Sequence, residues 1–552
     1  MNAPVARLIA WYRSAMRQHG EFLVILTLGV TFRLMAILVF RPGGYLGEMS
    51  DFGYYRLLLS FTNQGYYPVV HFWVEYPPLF PWIMTGLYRL SLWVPAWSEP
   101  GTWFFLLLSL FFAIVEAGNL VLFYAIARRL WSEPQAICLT WTYTGLLIPV
   151  LVLFIGFDSL ALFFLLGAVW WTLDRRPALS GIAAGLGFMT KLVPIVAAPS
   201  AVQHMRQGGQ RLRYLFSLVF TLLLIAAPFL LLAPEYLWQS LKSPVVRSTW
   251  ETVWALIDGY YSYGIAGGVD RFDPAMAGAA QHPTRLPWLF ITLGFILFYL
   301  VLYTRRLDWT DRHRVVAFTA LTQNLLTLYF KGYSPQFLVM LLPFMLLLIP
   351  GRRGVGYALG LSAINLIEYP IYFLVLPDQP WLLTGTVLLR TLFLVVVSVE
   401  YAGQIYRWRI PERAWNRLAA LVITITLVLG VAGVVVGLNA YTQSRYMASP
   451  HRPAMETLIA EAVPGSSVVT DDLFLYEQLV PFLRKRFHFR LVETFDYLPS
   501  WEPRLAQVAD QAQQVWVYAS AGSSLHTWLA RRYPSIARYE FDGWALSGWD
   551  TR

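Results

Sequence analysis

Apolar runs of about 20 residues recur along most of this chain, beginning with Phe22 to Phe40, and each is long enough to cross a bilayer as a helix. A water-soluble fold has no use for so many uniformly apolar segments. The composition agrees, with 57% hydrophobic and only 13% charged residues. The first run carries Arg33 and is followed by no small-residue cleavage site, so it reads as a retained anchor, not a cleaved signal. The expectation is a polytopic α-helical membrane protein.

A net charge of +10 would suit a nucleic-acid partner, but the placement of the cations argues against one. Arginines cluster between apolar runs, at Arg128/Arg129, Arg175/Arg176, Arg206/Arg211/Arg213, Arg305/Arg306/Arg312/Arg314, Arg352/Arg353 and Arg407/Arg409/Arg413/Arg417, as they do in cytoplasmic loops. Requiring an even number of crossings between clusters predicts about thirteen spans. They fall at roughly 22–40, 102–128, 135–152, 155–173, 178–191, 192–204, 214–233, 286–304, 315–331, 336–350, 354–376, 381–406 and 418–440. The N-terminus is then cytoplasmic and the C-terminus outside. The two short spans, 178–191 and 192–204, read as a broken hairpin turning near Lys191. Segment 79–97 is kept outside as a surface helix, because a crossing there would put Arg128 and Arg129 on the wrong side.

Two domains follow: a membrane domain over 1–440, with a first outer loop at 41–101 and a long outer loop at 234–285, and an extracytoplasmic α/β domain over 441–552. The tail alternates helix (454–462), strand (467–470), helix (475–486), strand (489–494), helix (502–513), strand (515–518) and helix (525–532). Cys138 is the only cysteine, so no intrachain disulfide staples the tail. None of the Asn residues lies in an N-x-Ser/Thr context and Arg far outnumbers Lys, which fits a bacterial plasma membrane.

The candidate chemistry concentrates in the first outer loop, in Gly47-Glu48-Met49-Ser50-Asp51-Phe52-Gly53-Tyr54-Tyr55-Arg56 and on to His71-Phe72-Trp73-Val74-Glu75-Tyr76-Pro77-Pro78. Alone, Asp51 reads as a solvated carboxylate capping the helix that begins near Phe52. Its company of Glu48, Arg56, His71 and Glu75 is unusual in a chain so poor in charge. Arg33 sits in the outer half of the first span, where a buried charge costs roughly 2.5–3.5 kcal/mol and calls for a partner or a task. Asp158 stands at the start of a span, either as the helix N-cap or as a second carboxylate facing the same cavity. Only four lysines occur, and Lys191 and Lys331 both flank outer turns, as snorkelling anchors or as contacts for an anionic lipid headgroup.

The 234–285 loop adds Lys242, Arg247, Asp258, Tyr260, Tyr261, Tyr263, Asp270, Arg271 and Asp273, and is long enough for a lid or binding element. Asp270 and Asp273 lack a third ligand at metal-binding spacing. In the tail, Val517-Tyr518-Ala519-Ser520-Ala521-Gly522-Ser523-Ser524 lacks the glycine pattern and lysine of phosphate loops, and reads as a plain β-to-α turn.

Taken in order, Ser50-Asp51 followed by Tyr and Arg56, the Pro-Pro-Leu-x-x-Trp helix, Asp158, the Gly-Phe-Met-Thr-Lys191-x-x-Pro turn, and Lys331-Gly332-Tyr333-Ser334-Pro335-Gln336-Phe337 with Pro343 resemble the GT-C superfamily of lipid-phosphate-sugar-dependent glycosyltransferases. Protein O-mannosyltransferases, lipid A aminoarabinose transferases and the mannosyltransferase that starts glycosylphosphatidylinositol glycans are the similar members. The resemblance covers about residues 20–345. It implies transfer of a monosaccharide, mannose-like, from a polyprenyl-phosphate carrier to a hydroxyl of a lipid, glycan or protein on the external face, with inversion. It implies Asp51 as catalytic base and Asp158 as a second catalytic carboxylate. Glu48, Arg56, His71, Glu75, Lys191, Arg271, Lys331, Tyr333 and Gln336 would bind substrate.

The chain departs from the O-mannosyltransferases by carrying Ser334-Pro335-Gln336-Phe337 in place of a Lys-x-Pro-Arg-Tyr-like segment. Glu48 and Asp51 stand three apart, so there is no Asp-x-Asp, and metal-independent donor recognition with no cofactor is expected. A lipid-sugar flippase is the rival reading. The absence of an evident internal repeat and the single broken hairpin favour the enzyme.

Overall fold

The computed structural model describes residues 3–40, 51–94, 101–146, 156–259, 267–278, 283–408, 412–472, 483–492 and 501–552, together with 149, 475, 476 and 494. Glu48, the tyrosines at 260, 261 and 263, the end of the predicted 135–152 span and most of the predicted 475–486 helix lie outside the described residues. The chain divides into two compact units, Met1–Gly437 and Leu438–Arg552.

In the first unit the apolar runs are helices: α1 (Ala3–Phe40), α2 (Asp51–Ser60), α3 (Leu79–Ser91), α4 (Thr102–Leu130), α5 (Glu133–Thr144), α6 (Asp158–Leu173), α7 (Pro177–Thr190), α8 (Ala198–His204) and α9 (Gly208–Leu232). They continue with α10 (Pro234–Val246), α11 (Val253–Asp258), α12 (Trp288–Tyr303), α13 (Arg312–Tyr329), α14 (Leu338–Leu348), α15 (Arg352–Leu366), a π-helical stretch Ile367–Val375, α16 (Pro380–Tyr406) and α17 (Glu412–Met447). Among the described residues, four helical segments are long and apolar enough to cross a membrane: Gln18–Val39, Thr102–Leu130, Gly208–Leu232 and Pro380–Tyr406. Shorter apolar helices stand beside them, at Asp158–Leu173, Pro177–Thr190, Trp288–Tyr303 and Pro335–Leu348. The protein is therefore multi-pass.

The broken hairpin is present and its turn falls at Lys191. Helix α7 stops at Thr190, Lys191 is extended, and a 3-10 turn at Val193–Ala197 leads into α8. Pro194 and Pro199 each sit in the first turn of the piece they open, where a missing N–H is not needed. Helix α7 packs closely on α9, and a Cβ on Gly185 would stand 2.8 Å from the Cβ of Thr221. The predicted surface helix is α3, which follows Pro78 and buries Phe80, Met84 and Tyr88. Arg33 has its partner: Glu116 of α4 lies 3.8 Å away, both side chains buried, and Asn119 donates to Glu116 and to the Ser159 carbonyl.

The second unit is a five-stranded mixed sheet with helices on both faces. Strands β1 (Ser467–Thr470), β2 (His488–Leu491) and β3 (Gln514–Ser520) are joined by β4 (Ser535–Phe541) and β5 (Trp544–Asp550) in the order β2-β1-β3-β5-β4. The first three pair in parallel and β5 runs antiparallel to β3 and β4. Trp516 and Tyr518 of β3 pack beneath α18 (Arg452–Glu461), while Val515 and Val517 pack beneath α19 (Glu502–Asp510) and α20 (Ser524–Ala530). The β4–β5 hairpin was not predicted. Its signal is Asp542-Gly543, both at positive φ, a two-residue turn whose twist suits paired antiparallel strands.

Candidate active site

Asp51 opens α2, with Tyr54 and Tyr55 one turn further on the same face. The Tyr55 hydroxyl donates to Asp51 Oδ2 at 3.3 Å. Around this turn stands a wall of rings: Phe52 lies 6.0 Å from Phe112 of α4, Tyr55 lies 5.8 Å from Phe80 of α3, and Phe80 stacks at 3.9 Å on Phe157. Asp51 is half-buried among these groups. That burial, reinforced by the nearby charges of Glu75 and Asp158 and opposed by the Tyr55 hydrogen bond and Lys191, lifts its pKa from 3.8 to about 6.

Glu75 is held by two arginines from the 234–285 segment. Arg247 and Arg271 each donate to Glu75 Oε1 at 3.0 Å. Arg271 is 1% exposed; its Nε donates to the Tyr54 hydroxyl at 2.6 Å and its guanidinium lies 4.5 Å over the Trp73 ring. The Trp73 N–H donates to the Arg271 carbonyl, and Trp73 Nε1 donates to the Asp273 carbonyl. Tyr54, Trp73 and Glu75 of the first loop and Arg247, Arg271 and Asp273 of the long segment are thereby tied into one site. Asp258 fixes the long segment from beneath, accepting from Thr249, Thr284 and the Arg285 N–H.

Asp158 is the first residue of α6, preceded by Phe157 at the cap position, and its side chain makes no capping bond. The N-cap reading is corrected accordingly: the carboxylate turns to Lys191, whose Nζ donates at 2.5 Å. Asp158 is 1% exposed and its Oδ2 has no hydrogen-bond partner. The Lys191 ammonium lies 3.9 Å over Phe337 and 5.3 Å from Phe157. Gln336 borders the same place, next to Gly156.

The remaining predicted residues are placed elsewhere. The Arg56 side chain lies against Gly101, where a Cβ would collide with it. His71 Nδ1 accepts the Tyr67 N–H at 3.0 Å, closing a local turn. Lys331 donates to the Val245 carbonyl at 3.2 Å and lies 5.1 Å from the Trp288 ring; burial lowers its pKa. Tyr333 is stacked under Arg390 at 3.8 Å, with its hydroxyl directed to Asn365. Asp270 and Asp273 accept N–H groups of Gly267 and Ala275 as turn caps. No group of three or more His, Cys, Asp or Glu that could hold a metal ion occurs among the described residues.

Sequence reasoning gave Arg247 no role, although it stands in the segment singled out. It also passed over Glu368 and Arg390, whose signal was available as charges inside predicted spans. An open apolar groove of about 430 Å³ lies along α12 and α13, lined by Trp254, Phe290, Phe295, Phe298, Leu325 and Leu328. Trp254 meets Trp288, the ring beneath Lys331.

Apolar helices and buried charges of this kind define a multi-pass membrane protein, and its motifs resemble those of the GT-C integral membrane glycosyltransferases. The chain is 25% identical over 355 residues to the undecaprenyl phosphate-α-4-amino-4-deoxy-L-arabinose arabinosyl transferase of Pseudomonas paraeruginosa. That match covers 55% of this chain and 57% of the relative, so it spans little more than half of the relative's length. No family model matches. Among solved structures, ArnT from Cupriavidus metallidurans bound to undecaprenyl phosphate is similar at a TM-score of 0.38 and 13% identity, over 96% of this chain and 98% of that one. The Archaeoglobus fulgidus oligosaccharyltransferase is similar at 0.32 and 11% identity, over 98% of this chain and 75% of that one. Superposition this loose carries no residue correspondence.

Proposed function

We propose that the protein is an inverting membrane glycosyltransferase, moving a monosaccharide from a polyprenyl-phosphate carrier to an acceptor hydroxyl on the external face, with Asp51 as base. The observation that carries this is a carboxylate with a pKa of about 6 and no salt bridge among the described residues, flanked by the Glu75–Arg247–Arg271 and Asp158–Lys191 groups. A base tuned near neutrality combines a large ionised fraction with real proton affinity.

The chemistry needs only one such group. The bond between the anomeric carbon and the phosphate oxygen breaks with its electron pair on the phosphate, already a stable anion, so no general acid is required. The acceptor oxygen forms its bond to that carbon from the opposite side, and its proton passes to Asp51. Lys191, Arg247 and Arg271 supply positive charge for the departing phosphate, and transfer proceeds without a metal. The groove along α12 and α13, with Lys331 near its end, suits a prenyl chain.

In this reading about thirteen helices cross the membrane, the N-terminus is cytoplasmic, 1–440 is the catalytic domain and 441–552 is an extracytoplasmic α/β domain. The family resemblance implies a mannose-like donor sugar, and the relative's name adds 4-amino-4-deoxy-L-arabinose. The test offers undecaprenyl-phosphate-linked mannose and aminoarabinose separately, with lipid, glycan and peptide acceptors, with and without a chelator. Free undecaprenyl phosphate should appear with one donor and survive chelation. A purified protein that carries both lipids across a vesicle membrane and cleaves neither would be a flippase.

A further inference from the structure

A second buried charge cluster adjoins the groups assigned to the reaction. Glu368 opens the π-helical stretch and is 0% exposed, and Arg390 of α16 is 3% exposed. The Arg390 guanidinium donates to Glu368 Oε2 and to the Glu251 backbone carbonyl, and lies 3.8 Å over the Tyr333 ring. Glu251 is itself buried, at a φ of 50°, a left-handed conformation unfavourable to any residue with a Cβ. One guanidinium thus ties the Glu368 carboxyl to the Glu251 backbone. The Glu251 side chain has no cation of its own, and its Oε2 has no partner.

The backbone around Glu251 is pinned at the same place. The Trp250 N–H donates to the Lys331 carbonyl at 3.1 Å, the Tyr333 N–H to the Trp250 carbonyl at 3.2 Å, and the Thr252 hydroxyl to the Lys331 carbonyl at 2.9 Å. Gly332 permits this, since a Cβ there would run into the Trp250 ring. Four residues before Glu251 stands Arg247, one of the two arginines on Glu75.

We infer that Glu251, buried beside the Arg390–Glu368 pair, is a positioning residue that fixes segment 247–252 so that Arg247 reaches Glu75 in the transfer site. The charged and titratable groups facing it are Glu368, Arg390, Asp51 and Tyr333. Burial, then Glu368 and Asp51, keep its proton on well above the usual carboxylate range, against the pull of Arg390. Its ionisation would set a second carboxylate beside Glu368, loosen segment 247–252 and release Arg247 from Glu75. The activity arm of this inference rests on the transferase reading; the structural arm does not.

The test compares wild type with Glu251→Gln, which mimics the neutral acid, and Glu368→Gln, which removes the guanidinium's carboxylate. Hydrogen exchange of segment 247–252 is measured at pH 6.5 and pH 9.5, corrected for intrinsic exchange, and kcat and KM are measured over the same range. Wild type should lose protection and kcat at the alkaline end. E251Q should keep both within about threefold, and E368Q should lose protection at both pH values with kcat down tenfold or more. An alkaline loss of protection that persists in E251Q, or E251Q damaged as badly as E368Q, overturns the inference. Should no donor be turned over by wild type, the exchange data still decide it; should E368Q not fold, E251Q against wild type decides it.

Discussion

Replacing Asp51 with Asn removes a charge that the fold holds at a cost and, in the proposed mechanism, the base that the reaction needs. Raising a carboxyl from 3.8 in the unfolded chain to about 6 in the folded one penalises the folded, ionised state by at most ~3 kcal/mol. The sign follows from proton binding. Between these values the folded protein holds more proton than the unfolded chain, so stability falls as pH rises from 4 to 6 and stays lower above it. Asn carries no such penalty and can still accept from Tyr55. In detergent at pH 8, D51N should unfold at a higher temperature than wild type, the gap should close as the pH approaches 4, and turnover should fall by about 10²–10⁴. Thermal unfolding at pH 8 and pH 4, paired with donor turnover at pH 8, reads both effects. A variant less stable than wild type at pH 8, or one retaining turnover within threefold, refutes the reasoning.

Wild-type kcat/KM should rise with pH through a midpoint of about 6, as Asp51 loses its proton, and a profile flat from pH 5 to 8 would remove Asp51 from the rate law. Glu75→Gln should move that midpoint downward, because the Glu75 charge is one of the influences holding it up; an upward move contradicts the electrostatic account. Asp158→Asn or Lys191→Met alone should cost about 3–5 kcal/mol by leaving a buried charge unpaired, with part recovered in the double variant. Chemical denaturation across that cycle measures the coupling, and strict additivity would mean that the pair does not act as one. Gly332→Ala should release the Trp250 pairing and speed proteolysis within 247–258, whereas unchanged cleavage would place the hold elsewhere.

Much of this arrangement was legible because membrane insertion writes itself into sequence. A helix in lipid must be apolar over its whole length, so charges such as Arg33, Asp158 and Lys191 stand out against the background, and Asp51 stands out in a loop of a chain poor in charge. The Lys191 turn was visible for the same reason, as two apolar stretches too short to span separated by a cation. Pairing was not legible. Nothing in the spacing of Glu75, Arg247 and Arg271 announces that two arginines share one carboxylate oxygen, since that depends on how a long segment returns across the first. Arg56 shows the complementary limit: it is five residues from Asp51, and a helix places it well away from Asp51's face. His71 was chemically attractive but closes its own turn. The β4–β5 hairpin carried its Asp-Gly signal plainly, and its edge strand alternates Ala537, Tyr539 and Phe541 with Arg538 and Glu540, so this hairpin was legible and was overlooked.

The most direct test loads the protein with a polyprenyl-phosphate sugar, adds acceptor, and follows a single turnover by the release of polyprenyl phosphate in wild type and in D51N. Equal donor affinity in the two proteins, with release in D51N slower by about 10² or more, is the predicted result. Release from D51N at the wild-type rate, or loss of donor binding with the remaining turnover unchanged, would contradict Asp51 as the base.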